Sequence, residues 1–382
     1  MTQTLTRLHE VDAVRGFALG GILVANIGFF ADPGYAVSLG TMPITDGPVA
    51  MLISTLVLTK FYVIFSFMFG YSFTLQMRSW GDQVRARMLR RCLGLFTLGV
   101  LQGFLIWIGD ILTLYATLGL ILLACRGIQP RTAVKAGIWI IGVMSVIWLL
   151  LAGLAAMDPT PPATTGDPVA GAAAQALFTG SPLDVLTFQA QTYPMIALFV
   201  WIGQGPMAMA LFLFGFAAGK SRLFEQPERW AHLLPRIQAW GFCVGLPGAV
   251  FFTWSQRQNG GMELVGTAVN DVTSLMLAAA YVATLLRVIR RWPAVTSALS
   301  PAGRVAASNY LGQGLLASLI FSGYGLALAG KLAPIAVMGV AAAIYAVLLA
   351  LSAWWLRSHR YGPIEYGLRR LTLCSAAPRP PR

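Results

Sequence analysis

Charge is what this sequence lacks. Of 382 residues only 11% are charged, and 14 acids stand against 27 lysines and arginines. A soluble domain carries about 25% charged residues, so an ordinary soluble fold is excluded, and with it a separate soluble catalytic domain. Histidine occurs three times and cysteine four. Cys92, Cys125, Cys243 and Cys374 show no paired spacing, so no disulfide framework is expected. His9, His232 and His359 are far apart, so no metal site is expected.

What fills the chain is apolar sequence: 57% of it is hydrophobic, with a mean hydropathy of +0.69. A spanning helix needs about 20 apolar residues. Candidate spans centre near residues 21, 68, 99, 118, 146, 206, 246, 276, 318 and 345. The expected fold is therefore all-α, a polytopic membrane bundle of about ten transmembrane helices. The first apolar run lacks a small-residue cleavage pattern and reads as an uncleaved first helix.

The net charge of +13 would suggest nucleic acid in a soluble chain. Its distribution points to the lipid bilayer as partner, and no nucleic acid is expected. Basic residues crowd every second loop: Arg78 to Arg91, Arg126 to Lys135, Lys220 to Arg236, and Arg287 to Arg304. Segments 31–59 and 156–193 carry none. By the positive-inside rule both termini are cytoplasmic. The basic loops read as topology signals or as a site for a cytosolic anionic ligand.

One membrane domain is expected over 1–382, with five spans in 1–155 and five in 194–356. The connector at 156–193, which includes "DPTPPATTGDPVAGAAA", carries Asp158, Asp167 and Asp184 and reads as an extracytoplasmic loop with a short surface helix near 182–191. The cytoplasmic tail, 357–382, opens with "RSHRYGPIEYGLRRLTL", an interfacial helix pattern, and "SAAPRPPR" reads as disordered.

Polar residues inside apolar helices are costly and so informative. In "DAVRGFALGGILVANIGFF", Asp12, Arg15 and Asn26 share one helical face. Between Cys92 and Cys125 lie two helices of about 25 Å each, short of a hydrocarbon core of about 30 Å. Their turn, Gly109-Asp110, is therefore expected at or below the outer boundary. Counting depth along each span gives an outer layer of Asn26, Lys60, Asp110, Asn270 and Asp271. An inner layer holds Asp12, Arg15, Asn309 and Gln313, with Gln102 and Gln204 between. The layers suit an intramembrane cavity. Equally, Asp12 and Arg15 can clasp locally, Asn26, Gln102, Asn309 and Gln313 can bond helix to helix, and Lys60 can snorkel. The glycine in "MFGYSF" reads as a close-packing surface.

The segments "DAVRGFALGGILVANI", "KFYVIFSFMFGYSF", "LGVLQGFLIWIGDILTLYATLGLIL", "SPAGRVAASNYLGQGLL" and "YGPIEYGLRRLTL" resemble, in order, those of the YeiB-like bacterial membrane proteins, which carry domain of unknown function 418. That family is similar at its first helices to transmembrane acyltransferases that move an acyl group from cytosolic acyl-CoA to a sugar or other acceptor. The resemblance implies a bacterial inner-membrane protein of ten or eleven helices around a cavity. Arg15 and Asn26 would lie on its first-helix polar face. The enzymatic relatives carry a histidine near the outer end of that helix; "NIGFFADPGYAVSLG" has none.

Two functions of different class follow. In an acyltransferase, acyl-CoA is the co-substrate and a lipid or sugar the acceptor, with Asp110, Asn26 and Asp271 in catalytic roles. Asp12, Arg15, Lys60, Gln102, Gln204, Asn309 and Gln313 would line the binding cavity. In a transporter, the same layers would conduct a small metabolite, lipid or peptide. A non-catalytic assembly factor is the third reading. A homodimer is left open.

Overall fold

The structure, a computed structural model, describes residues 8–34, 47–157, 168–258 and 260–373. Asp158, Asp167, Cys374 and the 375–382 tail fall outside the described residues. Among the described residues there are fifteen α-helices and no strand. They are α1 (His9–Ala31), α2 (Pro48–Leu56), α3 (Lys60–Trp80), α4 (Val84–Leu105) and α5 (Leu112–Ala124). Next come α6 (Pro130–Met157), α7 (Pro168–Thr179), α8 (Pro182–Gly203), α9 (Gly205–Lys220) and α10 (Leu234–Ser255). The last are α11 (Met262–Arg291), α12 (Pro293–Arg304), α13 (Ala306–Phe321), α14 (Pro334–Ser358) and α15 (Pro363–Leu373).

Among the described residues, eight stretches are long and apolar enough to cross a membrane. One of them, Pro48–Leu105, contains α2, α3 and α4. The spans expected near residues 118 and 318 correspond to α5 and α13, of 13 and 16 residues. At about 1.5 Å per residue these are roughly 20 and 24 Å long, less than the hydrocarbon core. Where one span was expected near 206, the chain breaks at Gln204 and restarts at Gly205-Pro206, since Pro suits a helix start and not an interior. Residues 168–193, expected within the 156–193 connector with a short helix near 182–191, form α7 and the first half of α8, which runs on to Gly203. Helix α8 starts at a capping box, in which Ser181 Oγ accepts from the Asp184 N–H at 3.3 Å and Asp184 accepts from the Ser181 N–H at 2.8 Å.

Several helix crossings are tight enough to require glycine, two of them around α3 and α1. On α3 and α9, Gly70 meets the Phe212 backbone and Gly215 the Phe67 carbonyl, so a side chain at either would force the pair apart. On α1 and α12, Gly16 abuts the Leu299 carbonyl and Gly303 the Asp12 carbonyl. Helix α1 also touches α13 and α14, where the Gln313 amide donates to the Leu19 carbonyl at 3.1 Å and the Tyr345 hydroxyl to the Gly16 carbonyl at 2.7 Å.

The packing orients the bundle. Phe17 meets Phe61 and Arg15 meets Ser72, so α1 and α3 are antiparallel. One end gathers Glu10, Arg15, Arg78 and Arg290, with α15 laid on α4 through Leu368 and Leu371 against Gly94. The opposite end holds Lys60 and Asp110. There the 322–331 connector ties to α7 and α1, since Gly323 donates to the Phe178 carbonyl at 2.9 Å and Gly330 to that of Ala31 at 2.7 Å.

Candidate functional site

Asp110 lies in the connector between α4 and α5, outside the spanning stretches. It is 1% exposed. Its two carboxylate oxygens accept the N–H groups of Leu112 and Thr113, each at 3.0 Å, so it caps the otherwise unsatisfied first turn of α5. Burial pushes its carboxyl up to about 6, against the pull of those two N–H groups. Gly99 leaves room for it on α4. The Ile111 N–H donates to the Tyr310 hydroxyl at 3.2 Å, which brings α13 to the same turn.

Beside this turn, buried Gln102 has no partner for either amide atom among the described residues. Gln189 of α8 donates to the Ile106 carbonyl at 3.0 Å, and its own side-chain carbonyl has no partner among the described residues.

Lys60 does not snorkel. Its side chain is fully buried, with Nζ at 3.4 Å from the Ser54 carbonyl and 3.5 Å from Asn270 Oδ1. Asp271, next in sequence to Asn270, turns away and is half-buried beside Tyr62 and Trp148.

At the Arg-rich end, Arg15 donates to Asp12 at 3.1 Å and also to Ser72, so the clasp is partly local and partly tied to α3. Nearby, Glu365 of α15 caps α13, accepting the N–H groups of Ala307 at 2.8 Å and Ser308 at 3.1 Å and the Ser308 hydroxyl at 2.5 Å. The sequence reading missed Glu365 as a cap. An acid among the arginines of "YGPIEYGLRRL" was the available signal.

The remaining expected residues scatter. Asn309 bonds the Ala302 carbonyl at 3.0 Å and Ser352 at 2.9 Å, holding α12, α13 and α14 together. Asn26 is half-buried and makes no hydrogen bond to a described residue. Gln204 is exposed at the joint of α8 and α9, where its carbonyl accepts from the Tyr62 hydroxyl at 2.7 Å. Asp110, Lys60, Asn309 and Arg15 thus each bond to a different set of neighbours.

A cavity of about 290 Å³ lies elsewhere, between α3, α9, α10 and α11. Ile64, Phe67, Phe214, Leu275, Ala279 and Val282 are among its walls, which are almost wholly apolar. Glu10 and Arg290, paired at 3.2 Å, stand at its rim. Ser66 and Phe69 on α3 face Tyr115 of α5, so the cavity and Asp110 lie on opposite sides of α3.

Residues 218–375 match the family described as "Protein of unknown function (DUF418)". Over the full length the chain is 30% identical to the uncharacterized protein YxaH of Bacillus subtilis, covering 99% of this chain and 97% of that one. This chain belongs to the YeiB-like DUF418 family. YeiB of Escherichia coli is 25% identical, covering 98% of each chain. An uncharacterized 39.9 kDa protein of Bacillus acidopullulyticus, from the amylase 3' region, is also 25% identical, covering 96% of this chain and 94% of its own. The DUF418 region contains α10 to α15, and so includes Asn270, Asp271, Asn309, Gln313 and Glu365. Arg15, Lys60 and Asp110 fall in the part matched by the full-length relatives.

Proposed function

We propose that this protein is an acyl-CoA-dependent acyltransferase of the bacterial inner membrane, with about ten spans and both termini cytoplasmic. It moves an acyl group to a lipid or sugar acceptor at or across the membrane. The observation that carries the reading is the apolar cavity with Glu10 and Arg290 at its rim. The alternation of basic loops puts that rim at the cytoplasmic face. From Arg290 to Leu275 the cavity wall follows α11 for about 22 Å. Apolar walls stabilise a chain by about 0.8 kcal/mol per methylene, while Arg287, Arg290 and Arg291 suit the phosphates of CoA. A bound phosphate would take the place of Glu10 on Arg290.

Asp271 stands one helical turn beyond Leu275, on the same face of α11. In this reading it takes the proton of the acceptor hydroxyl as that oxygen attacks the thioester carbonyl, and the proton passes to the departing CoA thiolate. Asp110, across α3, holds its hairpin.

Binding of acetyl-CoA and decanoyl-CoA to the purified protein, measured by calorimetry, tests the reading. Both should bind, Ala279→Trp should block the cavity and abolish binding, and Arg290→Gln should weaken it about tenfold. Absence of binding, or binding indifferent to Ala279→Trp, overturns it.

A further inference from the structure

Among the described residues no acid hydrogen-bonds or ion-pairs with Lys60, and the apolar cavity assigned to the acyl chain does not include it. Its ammonium is fully buried on the first turn of α3, and the Phe252 ring centroid is 5.6 Å from Nζ. The contacts at 3.4 and 3.5 Å are long for a charged N–H donor, which settles nearer about 2.8 Å. A buried ammonium so loosely held is costly unless something neutralises it.

The surroundings are rich in donors. Thr253 bonds Ser54 and Thr55, each at 3.0 Å, and the Asn270 amide donates to Thr59 at 3.2 Å. One turn along α11 from Asn270, on the same face, the Ser274 hydroxyl is 1% exposed and has no partner among the described residues. The start of α3 adds the partial positive charge of a helix N-terminus. Thr59, immediately before it, holds φ at 70°, a conformation a β-branched residue rarely adopts and one that recurs where function requires it.

We propose that Lys60, Asn270, Ser274 and the Ser54 and Thr253 hydroxyls bind one small monovalent anion, of the chloride or carboxylate class. Hydroxyls and the amide reorient to donate, and one ammonium balances one negative charge. Selectivity follows from the same count: a divalent anion would leave a charge uncompensated in a buried site.

The test is the thermal unfolding midpoint of the purified full chain in chloride, bromide, acetate or gluconate at equal ionic strength. A small anion should raise the midpoint by a few degrees, saturably, over gluconate. A rise with the halides alone identifies an inorganic anion, and a rise with acetate alone a carboxylate. Asn270→Asp places a fixed carboxylate beside Lys60. It should raise the midpoint in gluconate and remove the anion dependence, an outcome that misfolding does not mimic. Lys60→Met should also remove the dependence, and if it fails to fold Asn270→Asp carries the test. Equal wild-type midpoints in all four salts, or anion dependence surviving Asn270→Asp, overturns the proposal. Neither result bears on acyl-CoA binding, which the cavity variants address separately.

Discussion

The carboxylate of Asp110 accepts one backbone N–H on each oxygen, and among the described residues no cation pairs with it. Asp110→Ala would leave both N–H groups buried without a partner. It is expected to lower stability by about 2 kcal/mol, read as a lower unfolding midpoint. Burial pushes its carboxyl up to about 6 from an ordinary 3.8, so the native state keeps the proton longer between those values. Stability should therefore fall as pH rises from about 4 to 6 and level off above, and Asp110→Asn should flatten that slope. Sequence reasoning reached this residue because two short helices had to turn inside the boundary. It reached Lys60 and set Asn270 in the same layer, but not Ser54 or Thr253, because serines and threonines on α2 and α10 carry no signal of depth or direction by themselves.

Among the elements, α13 depends on α15. A short helix that starts beside the break at Val305 has unsatisfied N–H groups, and Glu365 satisfies two of them from 57 and 58 residues away. Glu365→Ala is expected to cost about 2 kcal/mol and Glu365→Gln less, measured by thermal unfolding, because the amide still accepts while its charge no longer meets the helix end. The helical class, the apolar runs and the close-packing role of Gly70 were legible from periodicity and composition. The division of residues 156–220 was not. Pro, Ala, Thr and Gly look like a connector, so α7 is hidden, and the helix expected near 182–191 runs from the Ser181 cap on to Gly203 before the break at Gln204. The cavity was also hidden, since Ile64, Phe67, Ala279 and Val282 look like any buried or lipid-facing residues until four helices are set side by side.

For the whole molecule, the alternation of basic loops gives an orientation that can be checked. Single cysteines at Arg85 and Arg229 are expected to react with an impermeant thiol reagent only after the membrane is opened, and one at Asp167 in intact cells; the reverse pattern would invert the proposed topology. The contact of α1 with α12, α13 and α14 joins the first helix to partners nearly 300 residues later. At roughly 5–20 residues per second of synthesis, α1 waits about 15 to 60 s before those partners exist. During that interval Asp12 and Arg15 already have each other and Ser72 of the nearby α3. The last helices to leave the ribosome are thus the ones that complete the packing of the first.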